Sequence, residues 1–190
     1  MEIQAVTLAI RDLLLASLAN QPLLSPALFD VFTGPPGGAA GDPDLILFLY
    51  RITPNGELRN AERTRGFPGP TDPLQRFDPA VPLDLHYLVT GGAQTSTTSP
   101  ALTRLADAIR AIETASPLAL PEAFQEAVWL SLEPATTDDL SRIWGLFPNE
   151  NCRTSFLFRA SPVWIDPRMP LPAGPPVVSD RAHAGSMAPA

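Results

Sequence analysis

Apolar side chains recur at Ile3, Val6, Ile10, Leu13, Leu14 and Leu18, steps of three and four residues that predict a helix over residues 2–19 with Arg11 and Asp12 on its outer side. Asn20 and Pro22 mark its end. Residues 28–33 predict a short strand, and the Gly/Pro-rich stretch 34–43 that follows breaks both helix and sheet. The clearest strand is 44–52, Asp-Leu-Ile-Leu-Phe-Leu-Tyr-Arg-Ile, apolar on both faces as in a strand covered from both sides. It runs into Thr53-Pro54-Asn55-Gly56, an Asn-Gly turn signal. Residues 61–81 are rich in arginine, glycine and proline and predict a long connection. Residues 83–90 alternate: Leu83, Leu85, Tyr87 and Val89 share one face, while Asp84, His86 and Thr90 lie on the other, which predicts a strand with a polar or partner-facing side.

Ser99-Pro100 opens a second helix, serine as N-cap and proline at the first helical position, with Leu102, Leu105, Ile109 and Ile112 as its apolar stripe. It stops before Pro117, and Pro121 predicts a further short helical turn. Residues 127–133 predict a strand. Thr136 through Asp139 has the spacing of a capping box, and Leu140, Ile143, Trp144 and Phe147 supply the apolar side of the helix it starts, which Pro148-Asn149 ends. Residues 153–165 predict a last strand, placed at a sheet edge or beyond it because Pro162 cannot donate to a ladder. The order gives an α/β (α+β) fold, one mixed or antiparallel sheet with helices packed against it. Residues 1–166 form that domain, and 167–190, rich in proline and alanine, read as an extended or disordered arm.

Composition narrows the function more than the fold. The 190 residues carry a formal charge of -7, which argues against a nucleic-acid binder. All 13 basic residues are arginines, whose planar fork suits protein interfaces. No run approaches the roughly 18 apolar residues of a transmembrane span, and Met1-Glu2-Ile3-Gln4 lacks a basic leader. The expectation is a cytosolic protein without a membrane partner. The single cysteine, Cys152, precedes an apolar run and reads as a buried, inert thiol.

Candidate chemistry is sparse. The loop at 34–43 lacks the Lys-Ser or Lys-Thr and the helix-opening glycines of a phosphate site. His86 and His183 are the two histidines, and no metal-ligand spacing accompanies them. His86 is the one candidate base, without a Gly-x-Ser-x-Gly elbow. Asp138/Asp139 read as capping and Glu122/Glu126 as a solvated helix face. Neither a cofactor nor a metal site is expected. Arg51, Arg59, Arg63, Arg65 and Arg76 cluster locally in an acidic chain, either as a charge-balanced loop or as a docking surface for an acidic patch.

Three blocks carry a family resemblance. The stretch from Leu47 through Asn60, with its Thr-Pro-Asn turn and Leu-Arg-Asn ending, is the first, and Pro82 through Thr90 is the second. Leu132-Glu133-Pro134, the Asp-Asp-Leu-Ser helix through Trp144 and Arg153-Thr154-Ser155-Phe156 form the third. Over roughly residues 4–166 the chain resembles the N-terminal domain of the tail-terminator (cap) proteins of extracellular contractile injection systems, the antifeeding-prophage and virulence-cassette type. The resemblance implies a non-enzymatic hexameric ring that closes the baseplate-distal end of the inner tube and sheath, in a particle assembled in the cytoplasm and open to release. Its partners would be further copies of itself, the tube protein and the sheath protein. Candidate contact residues are Arg51, Arg59, Asn60, Arg63 and Arg65, with Phe158, Val163, Trp164 and Ile165 where an exposed strand edge over 153–165 would accept a strand from a neighbour. Two other readings stay open: an adaptor or baseplate-associated protein of the same particle, and a small cytosolic enzyme using His86.

Overall fold

The computed structural model describes residues 2–19, 29–39, 41–59, 64–65, 76–77, 80–92, 99–120 and 127–165. Among these residues three α-helices, α1 (Glu2–Ala19), α2 (Ser99–Thr114) and α3 (Thr137–Trp144), and a short 3-10 helix at Pro36–Gly38 accompany seven strands. The strands are β1 (Val31–Thr33), β2 (Leu45–Pro54), β3 (Thr64–Arg65), β4 (Arg76–Phe77), β5 (Val81–Gly91), β6 (Trp129–Glu133) and β7 (Ser155–Ile165). Five of them form one sheet in the order β1-β2-β5-β7-β6, while β3 and β4 pair separately. β1 runs parallel to β2 and the other pairings are antiparallel, so the sheet is mixed.

On one face lies the main core. α1 buries Val6, Ile10, Leu14 and Leu18, a stripe of four-residue steps, each side chain stabilising the fold by about 2 kcal/mol relative to exposure. α2 is rotated from its expected register: Ala101, Leu105, Ala108 and Ile112 are buried, and Leu102 is exposed. Alanines on that stripe let the helix approach its neighbours closely. Below the helices, Tyr87 of β5 and Phe158 of β7 stack with ring centroids 5.1 Å apart. The Tyr87 hydroxyl donates to Thr7 Oγ1 at 2.9 Å, and Thr7 in turn donates to the Ile3 carbonyl at 2.8 Å. This satisfies the buried hydroxyl that Tyr87 carries into the apolar core.

The opposite face is not open to a partner as the alternation over 83–90 suggests. Every residue from Pro82 to Gly92 is buried. α3 covers the half of this face around Leu88 and Leu157 with Ile143 and Trp144, and Phe48 and Phe147 pack at its margin. A complete capping box starts the helix as expected: Thr136 accepts from the Asp139 N–H, and the Asp139 carboxylate accepts from the Thr136 N–H. The Thr136 hydroxyl, donating to Asp139 Oδ2 at 2.6 Å, and after it the Thr136 N–H hold the Asp139 carboxyl below its ordinary value. Beyond the helix, Trp144 Nε1 donates to Ser155 Oγ at 3.2 Å, and the Arg153 guanidinium lies 5.8 Å from the Trp144 ring centre. At the far end of β5, a Cβ on Gly92 would sit 2.2 Å from the Pro43 carbonyl oxygen, so only glycine fits there.

Two expectations need correction. Cys152 is exposed, because the chain between α3 and β7 crosses the surface before the apolar run begins. β7 is not an edge strand over Leu157–Ser161, where it lies between β5 and β6; Pro162 falls at an irregularity in the β5–β7 register just past the last β6 partner, Ser161, where β5 alone flanks β7 as its proline predicts. A proline at such a point forfeits no ladder bond. The helical turn at Pro121, the pair Glu122/Glu126 and the arm 167–190 lie outside the described residues.

Candidate partner interface

The half of the second face that α3 leaves uncovered is polar and tightly connected. A register shift between Leu49 and Arg51 places Arg51 opposite His86 and Thr53 opposite Asp84. His86 is buried. Its Nδ1 lies 2.9 Å from Glu133 Oε2, and its Nε2 lies 2.9 Å from Thr53 Oγ1 and 3.3 Å from Arg51 Nη2. With Nδ1–H donated to the carboxylate, Nε2 accepts from the threonine hydroxyl and from the guanidinium. The imidazole therefore joins β2, β5 and the end of β6. Around it a cleft of about 490 Å³ is lined by Tyr50, Arg51, Glu133, Pro134, Asp139 and Arg142 among others. Burial first, and the Glu133 and Asp139 charges after it, raise the Tyr50 phenol above its ordinary value, with Arg51 acting in the other direction.

Acid, imidazole and hydroxyl in line resemble a nucleophilic relay. The surroundings favour a structural tie instead. The His86 side chain is 4% exposed, and Pro54 follows Thr53, so the residue after the hydroxyl offers no backbone N–H to an oxyanion. Among the described residues no group of three or more His, Cys, Asp or Glu side chains could hold a metal ion.

A second network, which the sequence pattern did not reveal, fixes the turn after β2. Asn55 Nδ2 donates to Asp84 Oδ1 at 2.9 Å and to Ser161 Oγ at 3.3 Å. Asn55 Oδ1 accepts from the Leu58 N–H at 3.0 Å, and the Asn55 N–H donates to the Pro82 carbonyl at 2.9 Å. Ser161 also donates to Asp84, and Arg159 Nη1 stands 3.7 Å from the other Asp84 oxygen. Asn-Gly signalled a turn; that its amide would clamp three strands depends on the pairing of β5 with β7, which local sequence does not report.

The anticipated contact residues separate into groups. Arg51 and Arg59 are exposed at this end of the sheet. Arg65 and Arg76 face each other in the β3–β4 register. Asn60 and Arg63 lie outside the described residues. Phe158 and Val163 are buried in the main core and present no surface to a partner: alternation turns Phe158 towards the helices, and the register irregularity at Pro162 brings Val163 to the same face. Trp164 and Ile165 are half-buried. Among the described residues the edges of the five-stranded sheet are the outer sides of β1 and β6, and the start of the β6 edge is met by Leu118, which bridges Val128, and by Ser116 Oγ, which accepts from the Leu130 N–H.

Compared with known proteins, residues 5–179 match the model of the Pvc16 N-terminal domain. The chain belongs to that family. Its fold is that of the sheath/tube terminator of an extracellular contractile injection system, PVC, in the extended state, with a TM-score of 0.60 at 21% identity over 97% of this chain and 66% of that one. The anti-feeding prophage cap, a tube-terminating cap, matches with a TM-score of 0.59 at 16% identity over 93% of this chain and 60% of that one. This Pvc16-type domain thus spans under two thirds of the length of either protein. No curated protein matches it. Among its described residues no helix is long and apolar enough to cross a membrane.

Proposed function

We propose that this chain is a structural cap, a terminator that closes the baseplate-distal end of the tube and sheath of a contractile injection system, stopping tube growth and anchoring the last sheath layer. The observation that carries the reading is the family match over residues 5–179, joined to a fold shared with two terminator proteins. A homo-hexameric ring assembled in the cytoplasm, contacting tube and sheath proteins, is the form the reading takes. The family and the fold both favour it over a baseplate-associated adaptor. A strand from the sheath or a neighbouring cap would add to the outer edge of β6 past Leu130 rather than to Leu157–Ser161 of β7, because that stretch of β7 already has a neighbour on each side. A truncation that probes the arm must therefore start at residue 167, since Ala160 and Val163 are part of the core.

The test is co-expression with tube and sheath proteins followed by negative-stain imaging. A cap density at one end of tubes of defined length is expected, with uncapped, overlong tubes when the chain is omitted. Tubes whose length and ends do not depend on it would overturn the reading.

A further inference from the structure

Arg51 donates to a nitrogen that can accept in only one of its protonation states. His86 Nδ1 lies within hydrogen-bond distance of both Glu133 oxygens, at 2.9 and 3.1 Å, so Nδ1 carries a proton and donates it to the carboxylate. At the other ring nitrogen, Nε2, Thr53 Oγ1 stands at 2.9 Å and Arg51 Nη2 at 3.3 Å. A guanidinium has donors only, so its bond to Nε2 lasts only while that nitrogen keeps a bare lone pair. Because the ring is buried between β2, β5 and the end of β6, these partners rather than solvent govern what it can do.

The other charges on this face have partners of their own. On β5, Asp84 is bound by Asn55 and Ser161, and Arg159 of β7, the register partner of His86, stands 3.7 Å from it. Across the cleft on α3, Arg142 pairs with Asp138 at 2.8 Å, and Asp139 is held by Thr136. The Tyr50 ring lies 6.2 Å from the imidazole. Glu133 and Arg51 are therefore the two charges in direct contact with the ring, one at each nitrogen. Histidine is the side chain that ordinarily changes charge between about pH 5 and 8. A proton added at Nε2 turns that nitrogen from acceptor into donor. Thr53 can follow the change, because a hydroxyl accepts as well as donates. Arg51 cannot: it loses its acceptor and meets a second positive charge at contact distance. The ring itself stays in place, since Glu133 binds an imidazolium more strongly than a neutral imidazole. Arg51 is exposed, so its guanidinium has water to move into.

We infer that His86 is a proton-operated latch on Arg51: the neutral imidazole holds the guanidinium against the sheet, and the imidazolium releases it. Arg51 lines the cleft between β2, the end of β6 and α3, so whatever meets this face meets a fixed arginine at neutral pH and a loosened one in acid. The latch is a property of the single chain and does not depend on the cap reading.

The test is NMR of the isotope-labelled chain from about pH 8 to about pH 5, following the ring nitrogens of His86 and the Nε–Hε signal of Arg51. At the upper end Nδ1 should carry a proton and Nε2 none. On acidification Nε2 should gain one, and the Arg51 signal should shift in the same step while circular dichroism stays that of the folded chain. His86→Gln should abolish the Arg51 step, and its spectrum assigns the ring signals, since His183 is then the one histidine left. The wild-type titration decides the matter even where that variant fails to fold. A proton on Nε2 already at the upper end, an Arg51 signal that stays put while His86 titrates, or a His86 that takes no proton before the chain unfolds would each overturn the latch. An Arg51 step that persists in folded His86→Gln overturns it as well and assigns the response to another group.

Discussion

Replacing Tyr87 by phenylalanine should change how this protein tolerates alkali. Burial pushes the Tyr87 phenol up to about 12 from its ordinary 10.0, the hydrogen bond to Thr7 pulling the other way. In the unfolded chain the same group ionises near pH 10. Between these two values the unfolded state sheds a proton that the folded state keeps, so stability is undiminished below about pH 10 and falls as the pH rises towards 12. The slope is about 1.4 kcal/mol per pH unit, roughly 3 kcal/mol over the whole window. This chain suits the measurement unusually well, since it has two tyrosines and, among its 13 basic residues, no lysine to titrate in the same range. Tyr50 contributes in the same direction and is present in both proteins. At neutral pH the substitution should cost about 1 kcal/mol for the lost hydroxyl contact, while Thr7 retains its bond to the Ile3 carbonyl. Urea unfolding followed by circular dichroism at a series of pH values then gives two stability curves. The phenylalanine variant should start lower, decline less, and meet the wild type near about pH 11. Parallel curves, or a wild type undiminished up to pH 12, would show that the buried phenol is not what alkali attacks.

Two further outcomes are expected. Thr136→Ala removes the side-chain half of the capping box and should lower stability by about 1 kcal/mol. Because Thr136 holds the Asp139 carboxyl below 3.8, the cap's contribution is present above the ordinary aspartate range and fades as the pH drops through the lowered value. Proton titration of Asp139 by NMR should move back towards 3.8 in the variant, and an unchanged titration would refute the cap geometry. Cys152, exposed at the approach to β7, should react with a thiol reagent in the native protein, one label per chain; a thiol that waits for denaturant would contradict its placement.

Where a signal is periodic and local, the sequence was a good guide. The apolar stripe of α1, the core strands β2 and β5, and the capping box of α3 all follow from spacing alone. The misses share a physical cause: alternation says which side chains share a face, but not what lies over that face. Asp84, His86 and Thr90 were legible as one polar side of β5. Their burial follows from a cover that comes from elsewhere in the chain, α3 over the Leu88 half and Arg51 and Glu133 beside His86. The edge that Pro162 predicts holds for its own end of β7, past the last β6 partner Ser161, but not for Leu157–Ser161, where β6 supplies the second neighbour that local sequence does not report. Leu102 was assigned to the stripe of α2 because it is large, yet the inward positions are held by Ala101 and Ala108, whose small size suits close packing. Of the anticipated contact residues, Arg51 and Arg59 were found on the surface because charge keeps them there, while Phe158 and Val163 were lost to the core.

The strand order also bears on how the chain reaches its native state. β5 has β2 on one side, supplied from earlier in the sequence, and β7 on the other, supplied much later. The contacts that fasten this centre are distant along the chain: Thr7 and Tyr87 are 80 residues apart, Asn55 and Ser161 106. Local structure such as α1 can form as soon as it is made, but the flank of β5 stays open until β7 emerges and pairs. Folding should therefore be slow for a protein of this size, with loop-closure entropy lost before the long-range contacts compensate it. Until then the unpaired side of β5 is a sticky edge, and nascent chains kept apart from one another at that stage will fold in better yield than crowded ones.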